Sequence, residues 1–181
     1  MKKNLAVSLA IVSLVVVGVV AFGAGGRRGR GSGAGSAPAT VLPADVAAAV
    51  LAALVGPEGE YAAYATYAAI IEEYGNVQPY ADIIKAEARH IAALQKPLDR
   101  YGVPSSPVNS YLGQVTAPTS LAEAAQAGID AEKANVELYE QQMAAVAAYP
   151  DIVRVFTNLQ TASQDSHLPA FERALADGGA A

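Results

Sequence analysis

Residues 80–101 read YADIIKAEARHIAALQKPLDRY, and one set of positions in this stretch decides the fold. Tyr80, Ile83, Glu87, His90, Leu94, Pro97 and Tyr101 follow one another at spacings of three and four, the signature of a single helical face. That face is apolar except at its centre, where a carboxylate and an imidazole stand one turn apart. Burying either group without a partner costs several kcal/mol, on the order of the stability of a small domain, so something in the fold must compensate them.

The same pattern recurs on both sides of this helix. Upstream, Glu60, Tyr64, Tyr67, Ile71 and Tyr74 form a stripe with one carboxylate near its start. Downstream, Ile129, Glu132, Val136, Tyr139, Met143 and Val146 carry another, and Phe156, Gln160, Ser163, His167 and Phe171 carry a histidine. The chain has only two histidines, and both fall on inward-looking stripes. No stretch alternates with period two for long enough to build a sheet, so the fold class is all-α.

Four helical stretches are expected. The first spans Ala44 to about Tyr74, with Gly56-Pro57 either kinking it or starting a new helix, and Gly75 closing it. The second spans about Val77 to Tyr101, bent near Pro97 and stopped at Gly102. The third opens at Thr119 or Ser120, with Glu123 placed as a capping box requires, and ends near Tyr149-Pro150. The fourth spans Asp151 to about Ala176, with Pro169 an awkward interior residue. Two of the three connections are short and make antiparallel neighbours. The middle one, Gly102 to Pro118, holds Pro104, Pro107 and Pro118 and favours an extended path. At about 3.3 Å per residue it can run the roughly 35 Å length of a bundle, which allows a crossover between two antiparallel pairs.

Glu60, Glu87, His90, Glu132 and His167 are the candidate metal ligands. Carboxylate-bridged metal bundles use one Glu from each of two helices and a Glu-x-x-His pair from each of the other two. Position 164 departs from that set, since Gln164 stands where a second Glu is required and offers only a weak oxygen ligand or an outer partner. Three carboxylates against two divalent cations leave a charge of +1 and against one cation -1, so dinuclear and mononuclear sites are both open. Oxygen and nitrogen donors suit iron, manganese or zinc. The alternative is a metal-free bundle, a binding or scaffold module at the cell envelope, in which the three carboxylates pair with His90, His167 or Arg89.

Composition narrows the function further. The chain has 181 residues, 52% hydrophobic and no Cys, which excludes a disulfide framework, thiolate zinc or iron-sulfur sites and a cysteine nucleophile. Five of its twelve basic residues lie in the first thirty positions; beyond them seven basic side chains face seventeen acidic ones, a net of -10. A body of that charge repels phosphate backbones, so nucleic acid is not an expected partner.

The N-terminus reads as an export segment. Lys2 and Lys3 precede an uncharged run from Leu5 to Ala24, which at about 1.5 Å per residue covers roughly the 30 Å of a bilayer's apolar thickness. Residues 1–24 are therefore a signal peptide or a membrane anchor, and 25–43 a Gly/Ser/Arg linker ahead of a bundle at 44–177. Cleavage gives an extracytoplasmic, secreted protein; retention, which Arg27, Arg28 and Arg30 favour, gives one anchored to the membrane.

The segments EYAAYATYAAIIEEYG (60–75), IIKAEARHIAAL (83–94) with LDRYGVP (98–104), SLAEAAQAGIDAE (120–132) and PDIVRVFTNLQTASQDSHLPAF (150–171) resemble, in order and spacing, an exported ferritin-like family of unknown function, distantly similar to rubrerythrin. The resemblance covers about residues 58 to 175. It implies a ferritin-like four-helix bundle, with Glu60, Glu87, His90, Glu132 and His167 at the family's candidate metal-ligand positions. The resemblance lends a fold and a site but no reaction; the Glu and His ligand set points to a non-haem metal centre, di-iron foremost, that acts with dioxygen or peroxide as a ferroxidase or related oxidoreductase. Without cysteine the chain lacks the rubredoxin-type donor module of rubrerythrins, so ferroxidase activity or plain metal binding is favoured over a complete peroxidase. Association as a homodimer is left open.

Overall fold

A computed structural model describes residues 41–179. The expected export segment at 1–24 and most of the expected linker lie outside the described residues. Among the described residues every regular element is helical: α1 (Ala44–Val55), α2 (Glu60–Tyr74), α3 (Tyr80–Arg100), α4 (Leu121–Val146), α5 (Pro150–Ala162) and α6 (Leu168–Ala176), with one π-helical turn (Ser163–His167) joining the last two.

The first helical stretch breaks at Gly56-Pro57, so the new-helix reading is the one observed. Gly59, the N-cap of α2, folds back against the end of α1; a Cβ there would lie 2.6 Å from the carbonyl oxygen of Ala53. Only a residue without a side chain permits that approach, and it places Glu60 as the first residue of α2. Gly75 (φ 81°) and Gly102 (φ 66°) adopt the left-handed backbone expected where helices stop. Ser120 caps α4 by accepting from the Glu123 N–H at 3.2 Å, while the Glu123 carboxylate reaches back to the Thr119 N–H and hydroxyl. The capping interaction is thus shared between Thr119 and Ser120.

The core consists of two apolar clusters. One gathers residues including Val50, Leu54, Leu94, Tyr139, Val146 and Phe156. The other gathers Tyr67, Ile70, Tyr80, Ile83, Ile129 and Phe171. Chain direction follows from these memberships. α3 passes from the second cluster at Ile83 to the first at Leu94, and α4 likewise from Ile129 to Tyr139. The α1–α2 stretch and the α5–α6 stretch run the other way, from Leu54 to Tyr67 and from Phe156 to Phe171. α3 and α4 are therefore parallel, α3 is antiparallel to the α1–α2 stretch, and α4 is antiparallel to the α5–α6 stretch.

Two successive parallel helices require a connection that returns along the molecule. Residues 101–120 provide it, and side chains of the first helical stretch hold it in place. Tyr111 donates to the Val55 carbonyl, Asn109 to the Tyr61 carbonyl, and Tyr61 to the Ser106 carbonyl, all near the start of α2. Near the other end, Tyr74 donates to the carbonyl of Pro118. The segment thus follows α2 from its first turn to its last, an extended path in keeping with its three prolines.

Candidate metal centre

Between the two apolar clusters lies a polar one. On α3 it falls between Ile83 and Leu94, on α4 between Ile129 and Tyr139, on the last stretch between Leu159 and Phe171, and on α2 at the first residue. Glu60, Glu87 and Glu132 are each 1–2% exposed and His167 5%, while the side chain of His90 is 12% exposed. All five residues singled out from the sequence are brought together here, in two groups able to hold a metal ion: Glu60, Glu87 and His90, and Glu87, Glu132 and His167.

Glu87 belongs to both groups. One of its oxygens lies 3.2 Å from His90 Nδ1 and the other 3.1 Å from His167 Nδ1. Each imidazole also faces one outer carboxylate, His90 that of Glu60 at 3.3 Å and His167 that of Glu132 at 3.4 Å. The two rings stack, with centroids 5.4 Å apart and planes inclined by 21°. Each outer carboxylate in turn accepts from a buried phenol, Glu60 from Tyr139 at 2.5 Å and Glu132 from Tyr67 at 2.6 Å. The arrangement is close to two-fold about Glu87: phenol, outer carboxylate, imidazole, shared carboxylate, and back.

Burial and the mutual proximity of acids and imidazoles set the protonation of the cluster. Burial and the neighbouring Glu87 carboxylate push Glu60 up to about 8. Burial also opposes ionisation of Glu87, but hydrogen bonds from Glu60, His167 and His90 outweigh it and hold this group low, at about 2. Burial disfavours both imidazolium ions, yet hydrogen bonds to Glu60 and Glu87 raise His90 to about 10, and the close carboxylates of Glu132 and Glu87 raise His167 to about 9. The phenols of Tyr67 and Tyr139 are held well above their ordinary value, first by burial and then by the adjacent carboxylates, and remain donors.

The two halves differ in one respect. The Nδ1 of His167 has no hydrogen-bond partner, although carboxylate oxygens lie at 3.1 and 3.4 Å. The distances suffice for hydrogen bonds but the directions do not. Two carboxylates and an imidazole nitrogen whose ligand atoms all lie within 4.8 Å of one another are a donor set that fits a cation.

Gln164 is not part of the cluster; it is exposed to solvent. Its expected place assumed an α-helical turn between it and His167. Pro169 removes the N–H that would bond the carbonyl of residue 165, and its ring crowds that carbonyl. The chain responds with the π turn, closed by the Leu168 N–H to the Ser163 carbonyl. The wider turn brings Ser163, four residues before His167, onto the buried face and turns Gln164 outward.

Two further residues escaped the sequence reading. Asn135, 4% exposed, donates from Nδ2 to the Glu58 carbonyl at 3.1 Å and accepts at Oδ1 from the Ser163 hydroxyl at 2.9 Å. Tyr67 was legible only as a core aromatic. Tyr64, on the same stripe, is half-buried and makes no hydrogen bond through its hydroxyl among the described residues.

No protein-family model matches the chain, and no curated protein matches it. Among solved structures it is similar to the crystal structure of a hypothetical protein from Methanococcus jannaschii DSM 2661, with a TM-score of 0.65 and 20% identity over 79% of this chain and 86% of that one. At that identity the likeness is one of fold.

Proposed function

We propose that this chain is an exported metalloprotein of the ferritin-like four-helix type, whose buried cluster holds a pair of divalent transition-metal ions, iron foremost, and supports ferroxidase or related dioxygen- or peroxide-linked chemistry. One observation carries the reading: two Glu/Glu/His groups, drawn from four helical stretches, share Glu87 between them. The unpartnered His167 Nδ1 supports it, because a buried polar atom without a hydrogen bond is costly unless something else pairs with it. Parallel α3 and α4, with a return segment along α2, match the single-crossover topology of ferritin-like bundles.

Iron in such a site supplies one-electron redox chemistry toward dioxygen or peroxide, with Fe²⁺ as the substrate of a ferroxidase. The chain's own residues do the holding. Glu60 and Glu132, each oriented by a phenol, would serve as carboxylate ligands, one in each group; Glu87 would contribute to both groups, and His90 and His167 would supply their imidazole nitrogens. The donors are oxygen and nitrogen alone, and manganese or zinc fits them as well as iron. The uncharged run behind Lys2 and Lys3 supports export. Fractionation of cells expressing the full chain tests that part; a wholly cytoplasmic product refutes it.

The metal reading is tested by reconstituting the purified protein anaerobically with ferrous iron, measuring metal content, and recording the optical spectrum on admission of air. Near two irons per chain with oxo-bridged absorption is the expected result, and Glu87→Ala and His90→Ala should each abolish stoichiometric binding. A folded protein with no bound metal would move the reading to a metal-free scaffold, in which those substitutions change stability alone.

A further inference from the structure

Ligands from the two halves of the cluster are joined by a buried path that does not pass through any ligand shared between them. Asn135 lies on α4 one turn beyond Glu132, and Ser163 opens the π turn; they are 4% and 2% exposed. The Ser163 hydroxyl donates to Asn135 Oδ1 at 2.9 Å, and Asn135 Nδ2 donates to the carbonyl of Glu58 at 3.1 Å, with Oε1 of Glu60 at 3.5 Å. The path therefore connects the turn that delivers Glu60, the helix that carries Glu132, and the π turn that carries His167.

Ser163 ties this path to the widened turn itself. Its carbonyl accepts the Leu168 N–H bond that closes the π turn, while its hydroxyl reaches Asn135. A buried amide committed at both ends does not rotate without leaving polar atoms unpaired. Glu60 belongs to one three-residue group and His167 to the other. Asn135 and Ser163, neither of which belongs to either group, thus link the two.

We infer that Asn135 and Ser163 are positioning residues that hold the two groups at the separation at which two divalent cations share Glu87, so that the ions bind as a pair and not independently. The inference rests on the metal reading above and deepens it. The test uses the full chain with Mn²⁺, calorimetric titration for stoichiometry and affinity, and electron paramagnetic resonance for coupling between ions. The native protein should bind two Mn²⁺ and give an exchange-coupled spectrum. Ser163→Ala should keep its helical circular dichroism and its first ion, weaken the second by about ten-fold or more, and show an isolated six-line signal. Ser163→Thr, which keeps the hydroxyl, should restore the coupled pair. If Ser163→Ala does not fold, Asn135→Ser carries the same readings.

Two ions with native affinity and coupling in Ser163→Ala would overturn the inference while leaving the metal site intact. A native protein that binds a single Mn²⁺ would also overturn it, and would leave a mononuclear site. A native protein that binds none would remove the metal reading together with the inference.

Discussion

Raising the pH from 6.5 to 8.5 in the absence of metal should unfold this protein more readily, and bound metal should abolish the effect. His90 and His167 hold their protons to about 10 and about 9 in the folded state, against 6.5 ordinarily. A group raised in this way contributes stability that is complete below its unfolded value and is lost as pH climbs through its folded one. Across the chosen window the folded protein keeps protons that the unfolded chain has released, so two imidazoles give a slope of at most about 3 kcal/mol per pH unit. Glu60, raised to about 8 from 4.5, acts in the same direction up to that pH. Glu87, lowered to about 2, acts in the opposite sense but only below its ordinary 4.5, outside the window. Over two units the two imidazoles alone approach about 5 kcal/mol, a large part of the roughly 5–15 kcal/mol typical of a domain. A cation takes the place of these protons, because a ligating imidazole must be neutral and a ligating carboxylate ionised. Urea unfolding at pH 6.5 and 8.5, in chelator and in excess Zn²⁺, measures both slopes. Stability that falls equally steeply with and without Zn²⁺, or that does not fall in chelator, would refute the argument.

Four substitutions separate the contributions of the surroundings. Tyr139→Phe and Tyr67→Phe each remove the phenol donor of one buried carboxylate and should cost about 1–3 kcal/mol in chemical denaturation and weaken metal binding about ten-fold, with Tyr139→Phe acting through Glu60 and Tyr67→Phe through Glu132; an unchanged affinity in both would show that the phenols serve packing alone. Gly128→Ala drives a Cβ to within 2.7 Å of the Phe171 ring, where α4 meets α6, and should cost about 1–3 kcal/mol by overpacking, read as a lower thermal midpoint with metal stoichiometry retained. Gln164→Glu supplies the carboxylate that a second Glu-x-x-His pair would need, yet the side chain faces solvent; metal content and affinity should stay at the native values, and a tighter site would contradict the π turn.

What the sequence disclosed depended on how far a regular helix could be extrapolated. Glu87 and His90 were legible because their spacing and the apolar neighbours on their stripe allow only one face. Glu60, Glu132 and His167 followed as charged or imidazole groups on otherwise apolar stripes, where burial demands a partner. Asn135 does not follow, because a period of 3.6 residues puts both 135 and 136 between Glu132 and Tyr139, and the apolar pattern favours Val136. Only packing decides: Asn135 is buried with both ends of its amide bonded, and Val136 is partly exposed. Tyr139 stood on its stripe as a core aromatic, and nothing in spacing reveals where a hydroxyl ends. The break after α1 left two outcomes open until the close approach of Gly59 to Ala53 fixed one. The last helix shows the limit most sharply. Pro169 was visible as a disturbance, but its consequence is a local change of helical period, which exchanges Gln164 for Ser163 on the buried face. A proline two residues past a buried histidine therefore determines which side chain supports that histidine, and the bond from Ser163 to Asn135 makes the choice matter to Glu60 on the far side of the cluster.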